Sequence, residues 1–127
     1  DALPICEIQQ AMNRDGRVAI YGVLFDTDKS EIKPESAPQL EEMGRYLQQN
    51  PSVSVYVVGH TDNQGKLDYN LGLSQRRADA VVTALTTTYK VARTRLVGKG
   101  VAGLAPVSSN QSEEGRAKNR RVELVLQ

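Results

Sequence analysis

The apolar positions of this chain change their period several times, and each change marks a predicted element. Alternating, β-branched stretches predict strands, and apolar residues every three or four positions predict helices. The predicted strands are residues 17–25, 53–58, 96–100 and 120–126, and the predicted helices are residues 36–49 and 70–89. The order βαβαββ favours an α+β fold with two layers, in which helices pack on one face of a mixed sheet and the last two strands can pair antiparallel.

The remaining segments are less regular. Residues 2–12 have apolar positions at helical spacing and predict a short helix or a linker, and residues 13–16 predict a turn. If residues 4–10, before that turn, are extended, a hairpin would result. Gly22, inside the first predicted strand, indicates a bulge or a close backbone approach. Residues 101–118 are predicted to form a long polar loop.

Length and composition fit one folded domain with a hydrophobic core. We assign residues 17–127 to that domain and residues 1–16 to a linker or N-terminal extension. The 16 basic and 15 acidic residues leave a net charge of +1, which argues against binding to nucleic acid or to an anionic membrane surface. No apolar run approaches the roughly 18 residues that a membrane-spanning helix needs. The single Cys6 predicts a free thiol or a pairing outside this chain.

One stretch, Gly59 to Ala78, combines the end of a strand, a polar loop and the first turns of a helix. Rigid elements on both sides make such a loop a favourable place for a binding site. Arg77 lies two helical turns beyond Asn70, roughly 10 Å along the axis. Because helical side chains lean toward the N-terminus, Arg77 is predicted to reach back toward Asp62. An acid and a guanidinium would then flank one small polar cleft.

Catalysis is the less favoured interpretation of the same stretch. His60, Asp62 and Ser74 have the chemistry of a nucleophilic trio. However, no Gly-x-Ser-x-Gly turn is present. One His and one Cys cannot supply the usual zinc ligands. We therefore expect no enzyme activity, no metal and no cofactor, and a structural role for His60.

The last loop carries a basic cluster, which acidic residues flank and largely balance. No aromatic residue interleaves with these basic residues, so base stacking on nucleic acid is not indicated. We expect a solvated loop with ion pairs, from which one arginine closes the anionic side of the cleft. The cluster comprises Arg116, Lys118, Arg120 and Arg121, and the flanking acids are Glu113, Glu114 and Glu123.

Three ordered motifs carry a family resemblance. Residues 59–78 contain Gly-His-Thr-Asp-Asn-x-Gly followed by Asn-x-x-Leu-Ser-x-x-Arg-Ala. This pattern resembles the signature of OmpA-like domains, the peptidoglycan-binding modules of outer-membrane proteins, Pal lipoproteins and flagellar stator proteins. Residues 25–30 resemble the first loop of that family, and residues 114–123 resemble its last loop. The resemblance extends over about residues 18–126, nearly the whole chain.

The resemblance implies a ligand and a set of contacts. The ligand is the stem peptide of peptidoglycan, held at the free end of its diaminopimelate residue, which has an ammonium and a carboxylate on one carbon. Asp62 matches the position that binds the ammonium, and Arg77 matches the arginine that binds the carboxylate with two hydrogen bonds. The other implied site residues are Asn70 and Arg120, with Asp26, Thr27 and Thr61 nearby.

The resemblance also implies a place and a role. The chain is expected to be part of a larger envelope protein of a Gram-negative bacterium. It would lie in the periplasm and attach that protein, associated with the outer membrane, to the cell wall. A further envelope protein or a second copy of the chain is a possible partner. The alternative is a stator-type or regulatory module that uses the same fold mainly to bind a protein.

Overall fold

Four strands form one mixed sheet in the computed structural model, which describes residues 2–127. The strands are β1 (Arg17–Ile20), β2 (Val55–His60), β3 (Leu96–Ala102) and β4 (Arg121–Leu126). Their order across the sheet is β1-β4-β2-β3. Strands β2 and β3 are parallel, and β4 runs antiparallel to both of its neighbours. The predicted α+β class with a mixed sheet is confirmed.

The prediction that the last two strands pair with each other is wrong, because β4 inserts between β1 and β2. Four consecutive residues of β4, from Arg121 to Leu124, are buried. A strand that is buried on both faces suits a central position better than an edge. Strand β3 instead occupies the edge on the far side of β2.

Three of the four α-helices share one hydrophobic core with the sheet. The helices are α1 (Ile5–Asp15), α2 (Ala37–Gln49), α3 (Leu67–Thr87) and α4 (Glu113–Asn119). The side chains of Val55 and Val57 are completely buried in that core, whereas Tyr56 between them remains 39% exposed. This alternation places the core on one face of the sheet, as predicted.

Helix α1 decides between the two interpretations of the first residues, because the segment is helical and forms no hairpin. Ile8 and Met12 point into the common core and are almost completely buried. The helix ends at Asp15 and is followed by Gly16, whose φ of 70° permits its backbone N–H to cap the carbonyl of Met12. The predicted domain boundary at residue 17 remains a prediction, and the extension before it packs against the domain.

The first strand is shorter than its apolar pattern predicts. It ends at Ile20 instead of continuing to Phe25, and residues 21–24 leave the sheet without regular structure. At Gly22 the backbone lies so close to the side chain of Gln39 that a Cβ atom would overlap with it. The predicted close backbone approach is therefore confirmed. By leaving the sheet, this segment opens space beside the start of β4.

Helix α4 lies where a long polar loop was predicted. Its seven residues are too few to produce a recognisable apolar period. A capping signal is nevertheless present, since the Ser112 hydroxyl accepts a hydrogen bond from the backbone N–H of Gly115 at 3.1 Å. The helix positions Arg120 directly before β4.

Helix α3 lies against β3 at unusually close range. A Cβ atom on Gly100 would overlap with the backbone of Gln75, so only glycine fits there. The Gln75 side chain then closes the free edge of β3. Its amide Nε2 donates to the carbonyl of Gly98 at 2.9 Å, and its Oε1 accepts from the N–H of Gly100 at 2.9 Å.

Candidate ligand-binding site

A cavity of about 490 Å³ opens where β2 ends. One wall is the segment that leaves β1, and the opposite wall combines the loop after β2, the first turns of α3 and the start of β4. The first wall is largely apolar and the second is polar and charged. Six of the seven predicted site residues line the cavity: Asp62, Arg77, Asn70, Arg120, Thr27 and Thr61.

Asp62 lies two residues beyond the end of β2 and is 7% exposed. Its Oδ1 accepts a hydrogen bond from the backbone N–H of Gln64 at 2.9 Å, and its Oδ2 accepts one from Nη1 of Arg120 at 2.8 Å. The hydroxyl of Thr61 donates to the carbonyl of Asp62 at 2.7 Å. The carboxylate is thus held in one orientation at the cavity.

Arg77 projects from the third turn of α3 toward the loop that follows Phe25. Its Nε donates to the carbonyl of Lys29 at 2.8 Å, and its Nη2 donates to the carbonyl of Asp26 at 3.1 Å. The guanidinium lies 4.9 Å from the centre of the Phe25 ring. Nη1 has no hydrogen-bond partner among residues 2–127 and can donate to a ligand.

The predicted contact between Arg77 and Asp62 is not formed. Arg77 instead donates hydrogen bonds to two loop carbonyls, and the carboxylate of Asp62 forms an ion pair with Arg120. Burial lowers the pKa of Arg77 from its usual value, while the negative charges of Asp28 and Asp62 act in the opposite direction. The two charges therefore face one cavity from separate positions.

Asn70 supports the loop between β2 and α3. It is 6% exposed, and its Nδ2 donates to the carbonyl of Gln64 at 2.8 Å. Asp62 and Asn70 thereby hold Gln64 at its N–H and at its carbonyl, respectively. The loop conformation that places the Asp62 carboxylate is fixed from both sides.

Asp26 does not line the cavity with its side chain. Its carboxylate points into solvent, is 70% exposed and lies 3.1 Å from Nζ of Lys33. The prediction places it near the site, and only its backbone carbonyl contributes there, by accepting from Arg77. A motif identifies a position, but it does not determine whether the side chain or the backbone acts.

Arg120 is held by two carboxylates, those of Asp62 and Glu113. Hydrogen bonds to Glu113 and then to Asp62 raise the pKa of the guanidinium. The sequence predicts a solvated loop with ion pairs around Glu113, and the link of this residue to the site through Arg120 does not follow from its position in the chain. Tyr21 and Gln64 also line the cavity without having been predicted.

His60 also lines the cavity and is 8% exposed. Burial lowers its pKa to about 4, and the nearby Arg121 guanidinium acts in the same direction, so the ring is neutral at pH 7. Its Nδ1 has no hydrogen-bond partner among residues 2–127. Its Nε2 lies 4.0 Å from Oε2 of Glu123, which is itself bound by Arg121 at 2.6 Å.

The possible catalytic trio is not assembled. Ser74 is completely buried, its hydroxyl donates to the carbonyl of Leu71 at 3.2 Å, and it accepts from the N–H of Ala102 at 3.0 Å. Neither His60 nor Asp62 is hydrogen-bonded to it.

Within residues 2–127, no three His, Cys, Asp or Glu side chains are grouped so that they could hold a metal ion. In the same part of the chain, no helix has the length and apolar character needed to cross a bilayer.

Together, the two-layer fold and the charged cavity at the end of β2 define a ligand-binding domain of the α+β class. The chain belongs to the OmpA family, whose model matches residues 24–120. The chain is 44% identical to outer membrane porin F of Pseudomonas aeruginosa over 105 residues, covering 83% of this chain and 30% of the porin. It is 34% identical to the peptidoglycan-binding protein ArfA of Mycobacterium bovis over 125 residues, covering 97% of this chain and 36% of ArfA.

A solved structure also supports membership of the OmpA family. The crystal structure of the peptidoglycan-associated lipoprotein from Burkholderia pseudomallei has a TM-score of 0.73 and 32% identity, covering 83% of this chain and 88% of that chain. The predicted family is thus confirmed. The predicted envelope localisation is confirmed at the level of the family, since its relatives include outer-membrane proteins and lipoproteins. The chain spans about a third of the length of the relatives porin F and ArfA.

Proposed function

We propose that this domain binds peptidoglycan non-covalently through the diaminopimelate residue of the stem peptide and so attaches a larger envelope protein to the cell wall. Family membership supports the peptidoglycan part of the proposal. Two similar proteins are named for that association, the peptidoglycan-binding protein ArfA and the peptidoglycan-associated lipoprotein. The diaminopimelate part rests on the chemistry of the cavity.

The free end of diaminopimelate is a zwitterion and needs an acidic and a basic partner at a fixed separation. The observation that carries the proposal is that Asp62 and Arg77 line one cavity without being paired to each other. Asp62 would accept the ammonium. Arg77 would bind the carboxylate with Nη1, the donor that has no partner within residues 2–127.

The other site residues have supporting roles in this proposal. Asn70 and Thr61 hold the loop that carries Asp62, while Thr27 lies on the wall next to Arg77. Two loop carbonyls fix the guanidinium of Arg77 before any ligand arrives. A site ordered in this way loses less conformational freedom on binding than a mobile one.

The proposed role is binding without chemistry. The hydroxyl of Ser74 is buried and is engaged by the backbone on both sides, so that no base can activate it toward a ligand in the cavity. Incubation with peptidoglycan or model esters should release no product. Turnover that disappears in Ser74→Ala or His60→Ala would contradict this part of the proposal.

The experiment that tests the ligand is a calorimetric titration with three compounds, preceded by a pulldown on purified sacculi. The compounds are diaminopimelate, lysine and a diaminopimelate peptide acylated at its side-chain amine. Lysine lacks the second carboxylate and would leave Arg77 without an anion, and acylation removes the charge that Asp62 binds. We expect clear binding of diaminopimelate, weaker binding of the acylated peptide and little binding of lysine. Equal affinity for lysine and diaminopimelate would refute the ligand assignment.

A further inference from the structure

The guanidinium of Arg120 bridges two carboxylates at the cavity. Its Nη1 donates to Oδ2 of Asp62 at 2.8 Å, and its Nη2 donates to Oε2 of Glu113 at 2.5 Å. The side chain of Asp62 is 9% exposed, that of Arg120 39% and that of Glu113 66%. The bridge therefore runs from the buried acid of the cavity to an acid in solvent at the start of α4.

The charges of these three groups sum to −1. Asp62 and Arg120 alone would form a neutral ion pair, which attracts an incoming ammonium only weakly. Glu113 adds the second negative charge and also gives the arginine a partner other than Asp62. With Glu113 present, the group retains one net negative charge next to the place where a cation would bind.

Asp62 still has room for that cation. Each of its oxygens accepts one protein hydrogen bond, Oδ1 from Gln64 and Oδ2 from Arg120. A carboxylate has about four lone-pair positions, so two remain for a ligand. Arg120 consequently does not need to leave for an ammonium to bind.

We propose that Glu113 is a positioning residue that sets the affinity of this site for an ammonium group, by holding and neutralising Arg120. The inference rests on the proposed function, because it requires a ligand that carries an ammonium. Glu113 is not needed to cap α4, since the Ser112 hydroxyl performs that role. Its contact with Arg116 at 3.3 Å is a local pair within α4 that does not reach the cavity.

The chain offers a matched control in the next residue. Glu114 is also exposed in the first turn of α4, and no ion pair links it to a residue between 2 and 127. Glu113→Gln and Glu114→Gln remove the same charge from the same helical turn. Only the first of them changes the neutralisation of Arg120.

The test is calorimetric titration of the wild type and both variants at low salt. The probes are a diaminopimelate tripeptide with a free side-chain amine and the same tripeptide acylated at that amine. We expect Glu113→Gln to weaken binding of the free-amine peptide roughly threefold to tenfold and to leave the acylated peptide within about twofold, because only the free amine carries the charge. Glu114→Gln should stay within about twofold of the wild type for both peptides. Thermal unfolding of each variant checks that the fold is retained.

Three outcomes would overturn the inference. The inference would be wrong if Glu113→Gln bound the free-amine peptide with unchanged affinity. It would also be wrong if Glu113→Gln lost the same affinity for both peptides, because an equal loss indicates a structural effect. An equal loss of affinity in Glu113→Gln and Glu114→Gln would show that the net charge of this helical turn, and not the contact with Arg120, sets the affinity. In all three cases wild-type binding keeps the proposed function intact, whereas a wild type that binds neither peptide nor sacculi would remove the proposed function and this inference with it.

Discussion

Asp62 and Arg77 line the same cavity, and neither forms an ion pair with the other. Arg120 holds the acid, and the loop carbonyls of Asp26 and Lys29 hold the base. The two opposite charges therefore stay apart without a ligand. A direct salt bridge between them would have to break before a zwitterion could bind, and this arrangement avoids that cost.

The first prediction concerns these two side chains. Asp62→Asn and Arg77→Ala should each abolish binding to sacculi, with a loss of about 2–5 kcal/mol in calorimetric titration with diaminopimelate. Asp62→Asn keeps the size of the side chain and an oxygen for the N–H of Gln64, so the loop should remain folded. Arg76→Ala is the control, because Arg76 is exposed and does not line the cavity. Retained binding in both site variants would be incompatible with the assigned site.

A second prediction concerns pH. The pKa of His60 is lowered to about 4 in the folded protein, mainly by burial, from its ordinary 6.5. Between these pH values the unfolded chain binds a proton that the folded protein does not bind. The contribution of neutral His60 to the free energy of unfolding is therefore fully present above pH 6.5 and is lost as the pH falls to about 4. With screening by solvent, we expect this contribution to be about 1–2 kcal/mol.

Urea unfolding at several pH values between 7 and 4 would measure this effect, with His60→Gln as the comparison. The variant should lose less stability over this window than the wild type, because carboxylates such as Glu123 titrate in both proteins. Parallel curves for the two proteins would show that His60 titrates normally in the fold.

A third prediction concerns the edge of β3. Gln75→Ala removes both hydrogen bonds to Gly98 and Gly100 and should lower the free energy of unfolding by about 1–3 kcal/mol. It also leaves a free strand edge, which favours association between chains. Sedimentation should therefore detect more self-association than in Arg76→Ala, whose side chain lies on the exposed side of α3. A variant as stable and as monomeric as the control would show that the amide does not protect the edge.

The fourth prediction tests whether α1 belongs to the domain. Met12 is 1% exposed, so Met12→Ala should lower the free energy of unfolding by about 2–4 kcal/mol. Cys6→Ala, on the exposed side of the same helix, should change it by less than about 0.5 kcal/mol. If removal of residues 2–16 left the unfolding transition unchanged, the extension would be a linker, as the sequence alone permits.

The elements of this fold were largely predictable because they are long and periodic. The apolar stripe of α2 and the β-branched run of β2 each determine their structure locally. The partner of each strand was not predictable, because an alternating pattern such as that of β4 indicates burial but does not identify the adjacent strand. Helix α4 escaped prediction because seven residues give no recognisable apolar period.

The candidate site divides in a similar way. Asp62, Asn70 and Arg77 lie within one strand–loop–helix segment, whose spacing places them around one cavity. The pairing of Asp62 with Arg120 joins residues 58 positions apart and depends on where β4 inserts. Glu113 enters the site only through that pairing, so no local pattern could have revealed it.

The central position of β4 also has a consequence for the timing of folding. The strands made first, β1 and β2, are not neighbours, and the segment that joins them into one sheet is synthesised after both. Such distant contacts form late because the intervening chain must first be ordered. Arg120 precedes β4 directly, so the ion pair that holds Asp62 depends on the same late segment that completes the sheet. A chain that stops at Asn119 should therefore neither unfold cooperatively nor form the ion pair that holds Asp62 in place.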